Sequence, residues 1–311
     1  MNFCWVAIGA ACLLSGCRRG DAAAAIDLAA RGKNGDALAA VVMRQGASPS
    51  ERHAAVELTN FVAQITGVVL PVVSDAVSLP ETAVVLGETA HTAHLLPGAN
   101  VSSLGTDGFR LKTVGRHVLV LGSSVRGVLY GVYEILERFG GVRWYAAGCT
   151  KVPRKGSFLI LGDLDEVQKP AFPVRLTSWQ SQMSDPQVAV RNRLSLAGGA
   201  PELGGGGVSF SRKFGRCHTF AALVPVKEHF AAHPEYFSFF DGKRQSTGTQ
   251  LCLTNKDMLE VAKKNLLADI AANYPKGVRY YGISQNDWYG YCECPVCAKV
   301  DAEECSHAGT N

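Results

Sequence analysis

Apolar positions recur at helical spacing in three stretches, with short apolar runs between them. The first helical stretch opens at Ser48-Pro49-Ser50-Glu51, which reads as a capping box with Ser at N-cap, Pro at N1 and Glu at N3. Ala54, Ala55, Leu58, Phe61, Val62 and Ile65 then mark one helix face, and Gly67 stands where a left-handed C-cap belongs. The second helix is predicted over residues 126–138, with Val128, Leu129, Val132, Ile135, Leu136 and Phe139 inward and Gly140 ending it. Strands are predicted at 37–44, 68–73, 83–86, 142–145 and 157–161. A hairpin pairs 108–113 with 117–122 through Gly115. These elements predict an α+β domain over residues 37–165, two helices against a sheet.

Pro170 and Pro173 mark a boundary. Beyond it, strands are predicted at 174–179, 250–253 and 278–284. A helix capped by Thr254 runs to about Asn273, with Met258, Leu259, Val261, Ala262, Leu266 and Ile270 on its apolar face. Strand–helix–strand order predicts a parallel α/β arrangement. The glycine-rich stretch 198–207 lacks the Lys-Ser/Thr and the strand–helix frame of a phosphate loop and reads as a connector.

The chain has 311 residues, 47% hydrophobic and 19% charged, so a globular fold is expected. The net charge of +4 is dispersed, and no basic stripe with interleaved aromatics appears, which disfavours nucleic acid as a partner. No internal repeat is seen. Residues 3–14 form an apolar run too short for a bilayer, which takes roughly 20 residues. Small residues follow it, as in a signal peptide. Leu14-Ser15-Gly16-Cys17 resembles the bacterial lipobox, although no positive residue precedes Phe3 and the nearest charges, Arg18 and Arg19, follow the cysteine. The resemblance implies removal of the leader 1–17 up to a lipid-modified Cys17, a linker over 18–36, and an exported protein anchored to the membrane of the bacterial envelope, in the periplasm or at the cell surface.

Two further resemblances cover nearly all of the remaining chain. Ala54-Ala55-Val56-Glu57-Leu58 through Ile65-Thr66-Gly67-Val68-Val69-Leu70-Pro71 resembles the domain that precedes the catalytic barrel in bacterial alpha-glucuronidases and beta-hexosaminidases. Tyr130-Gly131-Val132-Tyr133 and Gly141-Val142-Arg143-Trp144-Tyr145 fit the same domain. His233-Pro234-Glu235-Tyr236-Phe237, Gln250-Leu251-Cys252-Leu253-Thr254-Asn255, Ser284-Gln285-Asn286-Asp287-Trp288 and Cys292-Glu293-Cys294-Pro295-Val296-Cys297 are similar to an uncharacterised bacterial family that carries a domain of unknown function after that module. The resemblance implies a glycosidase-like TIM barrel over 170–311 acting on complex carbohydrate. About 140 residues follow Pro170, against about 250 in a complete (β/α)8 barrel. The expectation is therefore the first part of a barrel, truncated at the C-terminus, whose open edges would cost it solubility and activity.

Within that frame Asp287 is the leading catalytic candidate, since active-site residues of barrels gather just past the strand ends. Glycosidases commonly use two carboxylates, and substrate-assisted hexosaminidases use an adjacent Asp–Glu pair. Here the pair is Asn286-Asp287, so that Glu is missing. Asn286 could hold a sugar hydroxyl or acetamido group, or both residues could simply turn and cap the chain. Trp179, His218 and Trp288 are candidate substrate contacts, because sugar sites set hydrogen-bonding groups beside aromatic faces; each histidine taken alone fits packing or a surface role better than a functional one. Two function classes stay open, a glycosidase hydrolysing O-glycosyl bonds and a non-catalytic carbohydrate-binding lipoprotein. Both take an oligo- or polysaccharide as partner, and no catalytic cofactor is expected. Cys292, Cys294 and Cys297 have the spacing of a metal site, with Cys305, His307 or a residue outside these 311 as fourth ligand, and the ion would be structural zinc. In an exported protein a disulfide is the competing reading.

Overall fold

The computed structural model describes residues 24–195, 199–205, 209–215 and 217–307. The leader, Cys17 and Arg18-Arg19 lie outside the described residues, as does part of the glycine-rich stretch. Among the described residues no helix is long and apolar enough to cross a membrane. The chain forms two compact units. The first takes residues 24–171, 178–193 and 201–204; the second takes 172–177 and the other described residues through 307.

The first unit is built on a six-stranded sheet in the order β10-β5-β6-β4-β2-β3. Strands β2 (Ala39–Met43), β3 (Val72–Ser74), β4 (Thr82–Leu86) and β6 (His117–Gly122) run parallel. Strands β5 (Phe109–Val114) and β10 (Asp165–Gln168) add an antiparallel edge. All of β4 is buried, as expected when both faces of a sheet are covered. Helices α1 (Pro49–Thr66) and α3 (Gly127–Ile135) cover one face. Gly131 permits the close approach of α3, since a Cβ there would stand 2.6 Å from Val120 Cγ1. The opposite face carries a second core of Val42, Ala83, Val85, Leu119 and Leu121. Leu95, of the short helix α2 (Ala90–Leu95), and Leu96 just after it pack against that core. The sheet is therefore mixed and covered on both sides; the two predicted helices, α1 and α3, lie against it as expected, and the cover of the opposite face was not predicted. Small strands β1 (Ile26–Asp27) with β9 (Leu159–Ile160), and β7 (Arg143–Ala146) with β8 (Cys149–Lys151), form two separate antiparallel pairs.

Local signals explain these elements. Ser48 caps α1: its hydroxyl accepts from Glu51 N–H at 3.1 Å, and the Glu51 carboxylate accepts from Ser48 N–H at 2.7 Å. Gly67 closes the helix at φ 73°. Helix α3 does not run unbroken to Arg138; it passes into a π-helical turn over Leu136–Gly140, and Gly141 at φ 79° ends it in place of Gly140. Two further helices, α4 (Gln180–Met183) and α5 (Pro186–Arg191), return to this unit after the Pro170–Pro173 segment. Arg191 anchors α5 through a bidentate pair with the buried Glu57 carboxylate, at 2.8 and 2.9 Å.

The second unit has its own core of Phe214, Phe220, Leu223, Val224, Tyr236, Phe237, Leu251 and Met258. Short helices α6 (Phe220–Leu223) and α7 (Val226–His229) precede a tight hairpin of β11 (Phe239–Phe240) and β12 (Lys243–Arg244). Asp241 and Gly242, both at positive φ, make its two-residue turn. Helix α8 (Lys256–Asn273) packs on the core, and α9 (Pro295–Glu303) follows the cysteine cluster. The N-cap of α8 is Asn255, whose side chain accepts from Met258 N–H, and not Thr254. Leu259, expected inward, faces solvent. The expected strands at 174–179, 250–253 and 278–284 do not form as continuous strands. Their pairing is reduced to single bridges: Phe210 parallel to Tyr280, Thr249 parallel to Gly290, and Phe237 antiparallel to Leu251. In segment 174–179 the Arg175 carbonyl accepts from Ser195 N–H, and Arg175 N–H donates to Ser195 Oγ at 3.2 Å.

Candidate functional site

Three segments of the second unit are sewn together around residues 284–288. Thr219 and Phe220 donate their backbone N–H groups to the Ser284 carbonyl, and Ser284 N–H returns a bond to Thr219 Oγ1 at 2.9 Å. Gln250 is buried, and its side-chain amide reads the backbone of the same segment. Its Nε2 donates to the carbonyls of Asn286 (2.7 Å) and Trp288 (2.8 Å), while its Oε1 accepts from Asn286 N–H (2.9 Å). No long strand holds this segment; a few backbone bonds and the side chains of Thr219 and Gln250 do.

The candidates fall on different parts of that arrangement. The Asn286 side chain is engaged by the fold: its Oδ1 accepts from Ala221 N–H at 3.2 Å and its Nδ2 donates to the Thr249 carbonyl at 3.1 Å. It therefore positions the segment. Asp287 and Trp288 are exposed beside it, as is Tyr289, which is 95% exposed. His218 is exposed one residue before the Thr219 stitch, at a positive φ of 56° that turns the chain there. Trp179 lies in the first unit, as the residue capping α4, and is exposed. Gln250 was not among the sequence candidates, and its signal, a polar residue inside an apolar run, is weak. Beside it lies a crevice of about 20 Å³ lined by Phe220, Gln250, Gln285, Tyr291 and Asp301, room for about one water and not for a sugar ring.

The cysteines make the second feature. Cys252, Cys292, Cys294 and Cys297 are all buried, unbridged, and have their sulfurs within 4.8 Å of one another. The sequence identified three of the four. The fourth is Cys252, forty residues earlier, and neither Cys305 nor His307. Cys305 is an exposed free thiol, and His307 is exposed with its ring 3.8 Å from the Asp301 carboxylate. The described cysteines are unbridged in this structure. Cys294 is the N-cap of α9, and Cys297 sits in its first turn. Cys252 Sγ lies 3.8 Å from both Cys294 Sγ and Cys297 Sγ. Phe239 N–H donates to Cys292 Sγ at 3.4 Å, Arg244 Nη1 lies 3.7 Å from the same sulfur, and Thr254 Oγ1 is 3.1 Å from Cys297 Sγ. A hydrogen bond with Cys292 holds the Cys252 thiol down to about 4; burial opposes it, and Arg244, Thr254 and Cys294 reinforce it. Cys292 is pushed up by that same bond and by burial.

A family model described as a domain of unknown function, DUF4838, matches residues 144–311, more than half of the chain. The chain belongs to the DUF4838 family. Its DUF4838 region contains the 284–288 segment and all four clustered cysteines. A second model, the N-terminus of glycosyl hydrolase family 67, matches residues 24–135. No curated protein matches. Among solved structures the chain is similar to BtGH115A, a family GH115 4-O-methyl-alpha-glucuronidase with specificity for decorated arabinogalactans. Identity there is 19%, with 44% of this chain and 18% of that chain covered and a TM-score of 0.32. It is also similar to a Streptomyces plicatus beta-hexosaminidase in complex with GlcNAc, at 12% identity, 78% and 41% coverage and TM-score 0.36. The GH20 beta-N-acetylhexosaminidase of Streptomyces coelicolor A3(2) gives 13%, 78%, 42% and 0.36. The chain spans less than half the length of each of these proteins.

Proposed function

We propose that this DUF4838 protein is a glycoside-hydrolase-like protein that acts on complex carbohydrate at the bacterial cell envelope, held there by a lipid on Cys17. The observation that carries the reading is the exposed Asp287 carboxylate, followed in the chain by the exposed Trp288 and Tyr289, in a protein whose first unit contains a match to a glycosyl hydrolase N-terminal domain. A carboxylate beside aromatic faces is the chemistry that binds a sugar ring and moves a proton to or from a glycosidic oxygen. In this reading Asp287 is the acid or base, Trp288 packs on sugar, and Asn286 and Gln250 fix the segment. His218 is stitched beside it through Thr219 and would bind substrate. The second unit is proposed as the first part of a TIM-type barrel. Two parallel bridges, Phe210 with Tyr280 and Thr249 with Gly290, support this.

One observation favours carbohydrate capture without cleavage. Retaining and inverting hydrolases set two carboxyl groups about 5–10 Å apart, and the residue beside Asp287 is Asn286, already bonded to backbone. The two readings separate when the full chain is tested on an array of oligo- and polysaccharides for both binding and release of reducing ends. Cleavage supports the hydrolase, binding without cleavage supports capture, and the absence of both overturns the carbohydrate reading.

A further inference from the structure

We propose that Cys252, Cys292, Cys294 and Cys297 hold one structural zinc ion that braces the 284–288 segment. The four buried sulfurs come from two distant parts of the chain and converge within 4.8 Å. Zinc binds thiolate at about 2.3 Å in a tetrahedron, which places ligand sulfurs about 3.8 Å apart. Cys252 Sγ stands 3.8 Å from both Cys294 Sγ and Cys297 Sγ. A disulfide would need about 2.05 Å. These two separations match those of ligands around an ion.

The surroundings fit that ion. Four soft thiolates in a tetrahedron select zinc or an iron–sulfur centre among common metals. A divalent ion with four thiolates keeps net negative charge, and Arg244 lies against Cys292 to offset it. Phe239 N–H and Thr254 Oγ1 meet two of the sulfurs, as outer groups do when they orient ligands. Four protein ligands leave no open position, so the ion is structural and takes no part in chemistry. Its position gives it a task. Cys252 lies two residues past Gln250, and Cys292 four past Trp288, so the ion ties together both partners of the Gln250–Asn286/Trp288 bonds. Ligation also keeps these thiols from oxidation in an exported protein.

The test is metal analysis of the purified full chain by inductively coupled plasma mass spectrometry, with Cys252→Ser and Cys305→Ser variants. About one zinc per chain is expected in the wild type and in Cys305→Ser, falling to background in Cys252→Ser. Cobalt exchanged into the wild-type protein gives a readout independent of variant folding, with the intense visible absorption of a tetrahedral tetrathiolate. Iron in place of zinc, a disulfide joining any two of the four cysteines in the wild type, or zinc kept by Cys252→Ser and lost by Cys305→Ser would each overturn the assignment. The result does not depend on whether the protein cleaves carbohydrate.

Discussion

Glu57 and Arg191 stand 134 residues apart in sequence and meet in two parallel hydrogen bonds inside the first unit. Arg191 also lies 5.3 Å over the Phe61 ring, and Phe61 and Tyr133 pack edge-on against Trp144. Burial works against the Arg191 charge, yet the Glu57 carboxylate raises its pKa above the ordinary arginine value. Burial, with the Glu57 charge adding to it, holds Tyr133 well above the usual phenol range, so it stays neutral. Removing one partner leaves the other charge buried: Glu57→Ala is expected to destabilise the unit by about 3–5 kcal/mol in chemical denaturation. A loss below about 1 kcal/mol would show that the guanidinium is hydrated after all. Neither residue was legible as half of a pair, because a lone Glu on a helix face and a lone Arg in a short one look solvated. The cysteines show the same limit. The spacing of Cys292, Cys294 and Cys297 announces convergence, but Cys252 could be assigned to them only once the hairpin and Leu251 bridge were in place. Asn286 was legible as important and not as what it is, since its bonds to Ala221 and Thr249 are long-range.

Elements with local signals were the readable ones. Helix α1 is specified by its capping box, apolar stripe and Gly67, and all three form as the pattern predicts. Ser48→Ala removes one half of the box and should cost about 1 kcal/mol in thermal or urea unfolding; no measurable loss would mean the Arg44–Glu51 pair fixes the entry alone. Strands were readable only where neighbours complete them. Runs 83–86 and 117–122 became central strands with both faces covered, whereas 174–179 and 278–284, each interrupted by an arginine, form at most a single bridge. A strand is a property of a pair, and the pattern of one segment does not contain its partner. Edge strand β10 went unpredicted because three of its four residues, Asp165, Glu166 and Gln168, are polar. Asp165 is held down to about 2 by its hydrogen bonds from Arg110 and then Lys112. A depressed carboxylate stabilises above its unfolded pKa near 4 and loses that contribution as pH falls through 2. The side chain is 40% exposed, so solvent limits the effect to less than about 1 kcal/mol. Asp165→Asn should therefore flatten the acid limb of the stability curve between these pH values, and an unchanged limb would remove Asp165 from the account.

At the scale of the whole molecule, two units with separate cores carry two kinds of information. The first contains the match to a glycosyl hydrolase N-terminal domain and was legible from its helices and from residues such as Gly131. The second carries the candidate chemistry, and its resemblance lay in short motifs that the structure gathers by side-chain bonds instead of by a regular sheet. The proposed anchor belongs to this scale as well. Cys17→Ser should move the protein from the membrane fraction to the soluble fraction on cell fractionation, and an unchanged distribution would remove the lipid from the proposal. The most direct measurement compares wild type and Asp287→Asn on a glycan that the array shows to be bound, recording affinity and hydrolysis together. The account predicts that the variant binds within a few-fold of wild type and loses hydrolysis by about 10²–10⁴-fold, the range of a lost general acid or base. Hydrolysis undiminished in Asp287→Asn would contradict it.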